Sequence, residues 1–438
     1  MILYYCFLVV LSFVAAKNEE YRGYRVYNIE VDTELQQENI GLLRSDLIDF
    51  WRKPSYKYGV TGKAMVPPSH FNWFEEQLEK LGLARDVYIE DVYEYLNKAD
   101  IEIRSSREEI DDDDNNGDDD DDEQEKTPFD IKRYHRYDDI LTHLRELQAK
   151  YQDTTTKVEL VEFGVTEQNR PLVYIKVTRN NNNIEEGNNA KEERKEKPIV
   201  LIEAAINPRD WITIPAALNV LENILKEQKY VEDLEWMVIP VLNPDGYEYT
   251  HTNLRLWQKT RSTNSHLAHI CPGVNINRNF DLDWLHFDSS SSPCSHLFAG
   301  TEPFSEIETQ MIQSLIEEYG TRIKLYISLQ NNGGYISYPW NYEKAASGMF
   351  RQHHLLGLDM IKTMNDAYNL DAGSVIFDRA SGTSSDYARE KEILYTFNID
   401  VVHGENGVLI PEEDIGGIVD DVWKAVSIAA NEMIRLYS

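Results

Sequence analysis

Two short stretches, Ile199-Val-Leu-Ile-Glu-Ala204 and Trp236-Met-Val-Ile-Pro-Val241, are almost uninterrupted apolar runs. A strand carries such a run when both its faces are covered, which requires a sheet with helices packed on either side. The surrounding pattern agrees. Residues 158–163, 172–177, 325–329 and 394–397 are further strand candidates, and long amphipathic segments at 212–228, 305–318, 350–368 and 419–437 lie between or after them. This alternation predicts an α/β domain over residues 129–438, three layers deep, with a mixed central sheet between helices.

Before that domain the chain changes character. Residues 17–103 read as a small α+β unit. Tyr24-Arg-Val-Tyr-Asn-Ile-Glu-Val31 alternates like a half-buried strand, 42–51 and 71–81 have helical spacing, and 86–91 is strand-like again. Residues 104–128 hold an acidic tract, with thirteen Asp or Glu and no Lys or Arg from Glu108 to Glu125. Such a run cannot bury apolar surface and repels itself, so an extended, disordered linker is expected. The polar segment from Asn180 to Lys197 is read as a surface loop.

Residues 1–16, MILYYCFLVVLSFVAA, are apolar and end in small residues, with Lys17 and two glutamates close behind. The run falls short of the roughly 20 residues a membrane span needs, so a secretory signal cleaved after Val14-Ala15-Ala16 is expected, with no membrane association after its removal, an uncleaved signal anchor being the alternative. Cys6 leaves with it. Cys271 and Cys294 then form an even pair in an oxidising compartment, which reads as a disulfide, two isolated buried thiols being the alternative. A net charge of -32 argues against a nucleic-acid partner, because polyphosphate would be repelled over most of the surface. A monomer is expected.

Several segments carry more specific information. Asn243-Pro-Asp-Gly-Tyr247, Arg255-Leu-Trp257, Lys259-Thr-Arg-Ser262, Asn277-Arg-Asn279, Ser291-Ser-Pro-Cys-Ser295 and Ala380-Ser-Gly382 stand in an order that resembles the zinc carboxypeptidases of the A/B type. The resemblance covers about residues 130–438, and the unit before the linker resembles that family's inhibitory pro-domain. It implies a carboxypeptidase-like fold and a disulfide between Cys271 and Cys294. It also implies a zinc held by a His-x-x-Glu pair and a later His, a Glu as general base, and an Arg that polarises the scissile carbonyl. An Asn-Arg pair grips the substrate's terminal carboxylate and a Tyr caps the site. Imidazole suits zinc, and the metal makes hydroxide available near neutral pH.

Most of these positions are altered here. On the same resemblance the three metal-ligand positions fall on Asn207, Asp210 and Gln330, the general base on Asp400, the polarising Arg on Gln258 and the capping Tyr on Asp378. Two amides and one carboxylate are poor zinc ligands. They would suit calcium better, but three ligands fall short of the usual six to eight. A metal site rebuilt around His251 or His403 is not expected, since neither forms a His-x-x-His or His-x-x-Glu pair. Asn277, Arg278, Arg209 and Arg255 match the substrate clamp, and Ser385 falls on the specificity floor. Either a peptide-terminus pocket survives, or Arg278 pairs internally with Asp378 or Asp400.

The expectation is therefore a secreted, catalytically inactive member with no cofactor, acting by binding peptide C-termini or a cell-wall or secretory protein. Among relatives it resembles the fungal inactive metallocarboxypeptidase linked to cell-wall organisation, in the extracellular space, the cell wall or the vacuole. The competing expectation is an active metallocarboxypeptidase-type peptide hydrolase with an altered metal site. Lys132-Arg133 is the candidate junction for release of the pro-domain.

Overall fold

The computed structural model describes residues 16–43, 47–101, 128–152, 154–180, 196–331, 333–365, 367–401 and 407–438. All of the expected signal but Ala16, nearly all of the acidic linker, most of the 180–197 loop and His403 lie outside them.

The N-terminal unit is built on an antiparallel sheet of β1 (Arg25–Ile29), β2 (Asp49–Arg52), β3 (Gly62–Val66) and β4 (Asp86–Ile89), ordered β2-β3-β1-β4. The helix Phe71–Lys80 buries Phe74 and Leu78 against Tyr27, Ile29 and Ala64, which explains its apolar spacing. Among the described residues the helix expected over 42–51 is not found. A shorter helix, Glu34–Gly41, precedes it, and Asp49-Phe-Trp-Arg52 pairs with β3 as an edge strand. The alternation of these four residues suits a half-buried edge, and tertiary pairing outweighs the apparent helical period.

The larger unit carries eight strands: β5 (Thr156–Val165), β6 (Pro171–Arg179), β7 (Ile199–Glu203), β8 (Glu235–Ile239), β9 (Ile323–Gln330), β10 (Tyr335–Tyr338), β11 (Asn369–Ala372) and β12 (Tyr395–Asp400). Their order is β11-β10-β12-β9-β7-β8-β6-β5. The core strands β12, β9, β7 and β8 run parallel, while β5, β6 and β10 pair antiparallel with neighbours, so the sheet is mixed as expected. Val200 and Ile202 of β7 pack into one core, while Ile199 and Leu201 pack into the other. Alternate residues of a strand face opposite sides, so a centre strand must be apolar throughout.

Helices Thr213–Lys226, Phe350–Ile361 and Glu412–Tyr437 supply one core, and helix Ile307–Tyr319 the other. Among the described residues no helix is long and apolar enough to cross a membrane. Cys271 and Cys294 are joined in a disulfide that closes a loop of 23 residues' separation.

Candidate active site

Parallel strands leave a crevice beyond their carboxyl ends, where chains diverge into loops. Here β12, β9 and β7 are neighbours, and their ends bring Asp400, Gln330 and the loop after Glu203 together. Asp400 is directly opposite Gln330 in the register. The loop turns sharply at Ala205, φ 53°, and is tied by Thr213, whose Oγ1 accepts from Ala205 N and donates to Asp210 O. That turn delivers Asn207, Arg209 and Asp210 into a cavity of about 120 Å³, which Gln258, Asn277, Arg278, Gln330, Asp378, Ser385 and Asp400 also line. All the expected site residues therefore converge, except Arg255.

Arg255 lies behind the site. Its Nη1 donates to Arg209 O at 2.7 Å and its Nη2 to Val408 O at 3.1 Å, while its guanidinium stacks 3.8 Å over the Trp211 ring. Burial pulls its pKa down to about 10. It braces the loop that carries Arg209, a positioning role rather than a clamp on substrate.

At the three metal-ligand positions the side chains bond one another and the backbone. Asn207 Nδ2 donates to Asp210 Oδ2 at 3.2 Å, Asn331 N donates to the same oxygen at 3.3 Å, and Gln330 Nε2 donates to Ser328 Oγ at 3.0 Å. Asp210 is buried, and loss of solvent pushes its carboxyl up to about 6 despite the opposing pull of Arg209. Among the described residues no group of three or more His, Cys, Asp or Glu could hold a metal ion. His251 is stacked on Trp211 at 4.0 Å between ring centres.

The arginine end is different in kind. Arg209 Nη1 donates to Asp49 Oδ2 at 2.7 Å, and Gln258 Nε2 donates to Asp49 Oδ1 at 2.8 Å. Asp49 belongs to the N-terminal unit, whose Ile48, Phe50 and Lys53 also line the cavity. Arg278 pairs internally, but with neither Asp378 nor Asp400: its partner is Asp288, at 2.7 Å. Lys53 reaches the same carboxylate at 3.0 Å. Asp378 sits at φ 66° with Lys344 at 3.4 Å, against Gly41 of the N-terminal unit, where a Cβ would come within 2.1 Å of its Oδ2.

Asn277 Oδ1 accepts from Ser384 N, and Ser385 Oγ accepts from Asn341 Nδ2 at 3.1 Å. Gly382 lies at φ 67°, where a Cβ would fall 2.4 Å from Arg278 O, so the Ala380-Ser-Gly382 motif exists to let two backbones approach.

The profile of the zinc carboxypeptidase family matches residues 140–425, and that of the carboxypeptidase activation peptide matches residues 27–99. The chain belongs to the zinc carboxypeptidase family. It is 30% identical to a carboxypeptidase B of Helicoverpa zea over 450 aligned positions, 98% of this chain and 99% of the relative. It is 26% identical to carboxypeptidase A1 of Sus scrofa over 436, covering 96% of each. The crystal structure of a carboxypeptidase A from Helicoverpa armigera superposes with a TM-score of 0.82 at 24% identity, covering 95% of this chain and 98% of that one, which confirms the fold.

These findings correct two expectations. The reading as a non-enzyme inferred inactivity from replaced side chains, but the relatives that match nearly end to end are named carboxypeptidases. The expectation of no cofactor is likewise overturned by membership of a zinc family. Asn207, Asp210 and Gln330 are not the nitrogen-rich set zinc prefers, so no reaction step is assigned here through a metal. The same relatives are animal proteins and lend no support to a fungal cell-wall role.

Sequence reasoning missed Asp49, Lys53 and Asp288. The first two lie far from the site in sequence, Asp49 in a segment read as helix and Lys53 just beyond it. Asp288 carries no motif, and only its φ of 46° in the fold marks it.

Proposed function

We propose that the chain is a metallocarboxypeptidase-type peptide hydrolase with an altered metal site, which takes the free carboxylate end of a peptide and is covered by its own pro-domain. One observation carries this reading: a carboxylate, that of Asp49, already lies between Arg209 and Gln258 in the cavity. Charge-assisted hydrogen bonds of this kind are what a terminal carboxylate would make on replacing it. Arg209, Asn277 and Arg278 would orient the peptide end, and Ser385 with Asn341 gives the side-chain pocket an uncharged polar floor. Asp210, with its pKa raised to about 6 by burial, is able to hold or release a proton near neutral pH. Asp400 offers a second carboxylate, beside Gln330 in the register and two strands from β7.

Entry into the secretory pathway is supported by the expected leader and the disulfide. Pro-domain release at Lys132-Arg133 is supported by the exposure of Lys132, but Tyr134 is buried and its N donates to Glu412 at 2.8 Å, so cutting there requires this segment to open.

The test uses the full chain and an Asp49→Ala/Lys53→Ala form that withdraws both pro-domain charges from the cavity. Each is incubated with a peptide ending in a free carboxylate and with its C-terminal amide, and released amino acid is read by mass spectrometry beside the metal content of the same preparation. Release from the free acid alone is expected, faster in the double variant. No release from either peptide by either form defeats the hydrolase reading.

A further inference from the structure

Each of the three nitrogens of the Arg278 guanidinium makes a hydrogen bond. Nε donates to the Asp288 backbone oxygen at 2.6 Å and Nη2 to Asp288 Oδ2 at 2.7 Å, while Nη1 donates to the Asn277 carbonyl at 2.7 Å. The edge formed by Nε and Nη2 is one that an arginine offers to a carboxylate in a two-bond grip. Asp288 holds that edge from an uncommon backbone position, φ 46°, in the left-handed region. Burial would push its carboxyl up, but the Lys53 and Arg278 cations outweigh burial and hold it well below the usual range. Its side chain is only 11% exposed, so water competes weakly for it.

Arg209 and Arg278 thus face acids of different origin. Asp49 comes from the pro-domain and would leave with it on release. Asp288 lies ten residues beyond Arg278 in the same unit and stays. Lys53 would also depart on release of the pro-domain, and among the described contacts Arg278 would then be the cation left on Asp288.

We propose that Asp288 is a resident competitor for Arg278: its carboxylate and backbone oxygen occupy the guanidinium edge that a peptide's terminal carboxylate needs, and binding at this arginine requires Asp288 to swing away. The inference rests on the reading of the cavity as a peptide-terminus site and adds a residue that sets its affinity. The competent state is populated only when Asp288 is displaced, so the apparent dissociation constant is raised by the reciprocal of that fraction.

The experiment measures binding, in the full chain carrying Asp49→Ala/Lys53→Ala so that the pro-domain contributes no charge to the cavity. Into this background go Asp288→Asn, which keeps shape and tolerates the left-handed backbone, and separately Asp288→Gly, which accepts that backbone without a side chain. The probes are one peptide with a free C-terminus and the same peptide amidated, titrated by calorimetry. Both variants are expected to tighten the free acid by about tenfold or more, with the amide unchanged, and Arg278→Ala should abolish the gain. Affinity for the free acid within about twofold of the background in both variants, with Arg278→Ala still weakening it, overturns the role of Asp288 and leaves the terminus site standing. Equal affinity for acid and amide in every form defeats the site reading and this inference together.

Discussion

At the arginine end of the cavity, Arg209 and Arg278 keep their cationic side chains, and each is held by an acid, Asp49 or Asp288. At the strand ends, Asn207, Asp210 and Gln330 keep the positions of a ligand set but bond among themselves and with Ser328 and the Asn331 backbone. The first region retains its chemistry and has it occupied. The second retains its geometry with other chemistry in place. The contrast teaches that the fold constrains where side chains meet far more than what they are: parallel strand ends meet whatever residues they carry, whereas Arg209 and Arg278 each demand an acid, unlike Arg255, which is held by carbonyls and a ring.

The largest expected effect tests that demand. Asp49→Ala leaves Arg209, itself buried, without its acid, and should cost about 3 kcal/mol of stability by urea unfolding at pH 7.5. A loss under about 1 kcal/mol would show that the arginine end does not depend on pairing.

At the other end the sign reverses. The folded pKa of Asp210 lies above its ordinary value of 3.8, so the native state holds the proton more tightly than the unfolded chain does. Its contribution is therefore most favourable below about pH 4 and falls as the pH rises to about 6 and beyond. Asp210→Asn should remove that fall, leaving the protein about 2 kcal/mol more stable than the parent at pH 7.5 and little changed at pH 4. Destabilisation at pH 7.5 would mean that the carboxylate has a charged partner, and the two ends would then be alike.

Asn207→Ala removes a single neutral donor from Asp210 and should cost about 1 kcal/mol or less. A larger loss would make the strand-end cluster a rigid polar network. The smallest effect belongs to the rim, where Lys344 and Glu38 join the two units with side chains 42% and 49% exposed. Lys344→Ala should shift stability by a few tenths of a kcal/mol and less still in high salt, since exposed pairs are screened.

Of the site, what depended on local order was legible. Asn207-Pro-Arg-Asp210 follows a buried strand by a few residues, so its place at the crevice could be read once 199–204 was recognised as a central strand. Asn277, Arg278, Ser385 and Gln258 also reached the cavity as expected. Arg255 did not, because matching a motif in sequence does not tell which way a long side chain turns, and Trp211 offered it an aromatic face. The segment 42–51 was misread for a related reason: its apolar spacing fits a helix, yet β3 supplied an edge that could be paired only in the fold.

The sequence by itself determined the layered α/β architecture, the family, the paired cysteines and the identities at the altered ligand positions, because apolar periodicity and ordered motifs are local properties of the chain. Only the tertiary structure decided who pairs with whom. Asp49 reaches Arg209 across 160 positions and Asp288 takes Arg278 in place of Asp378 or Asp400. Both arginines take a counter-charge that is near in space, and spatial proximity is set by packing rather than by any pattern along the chain.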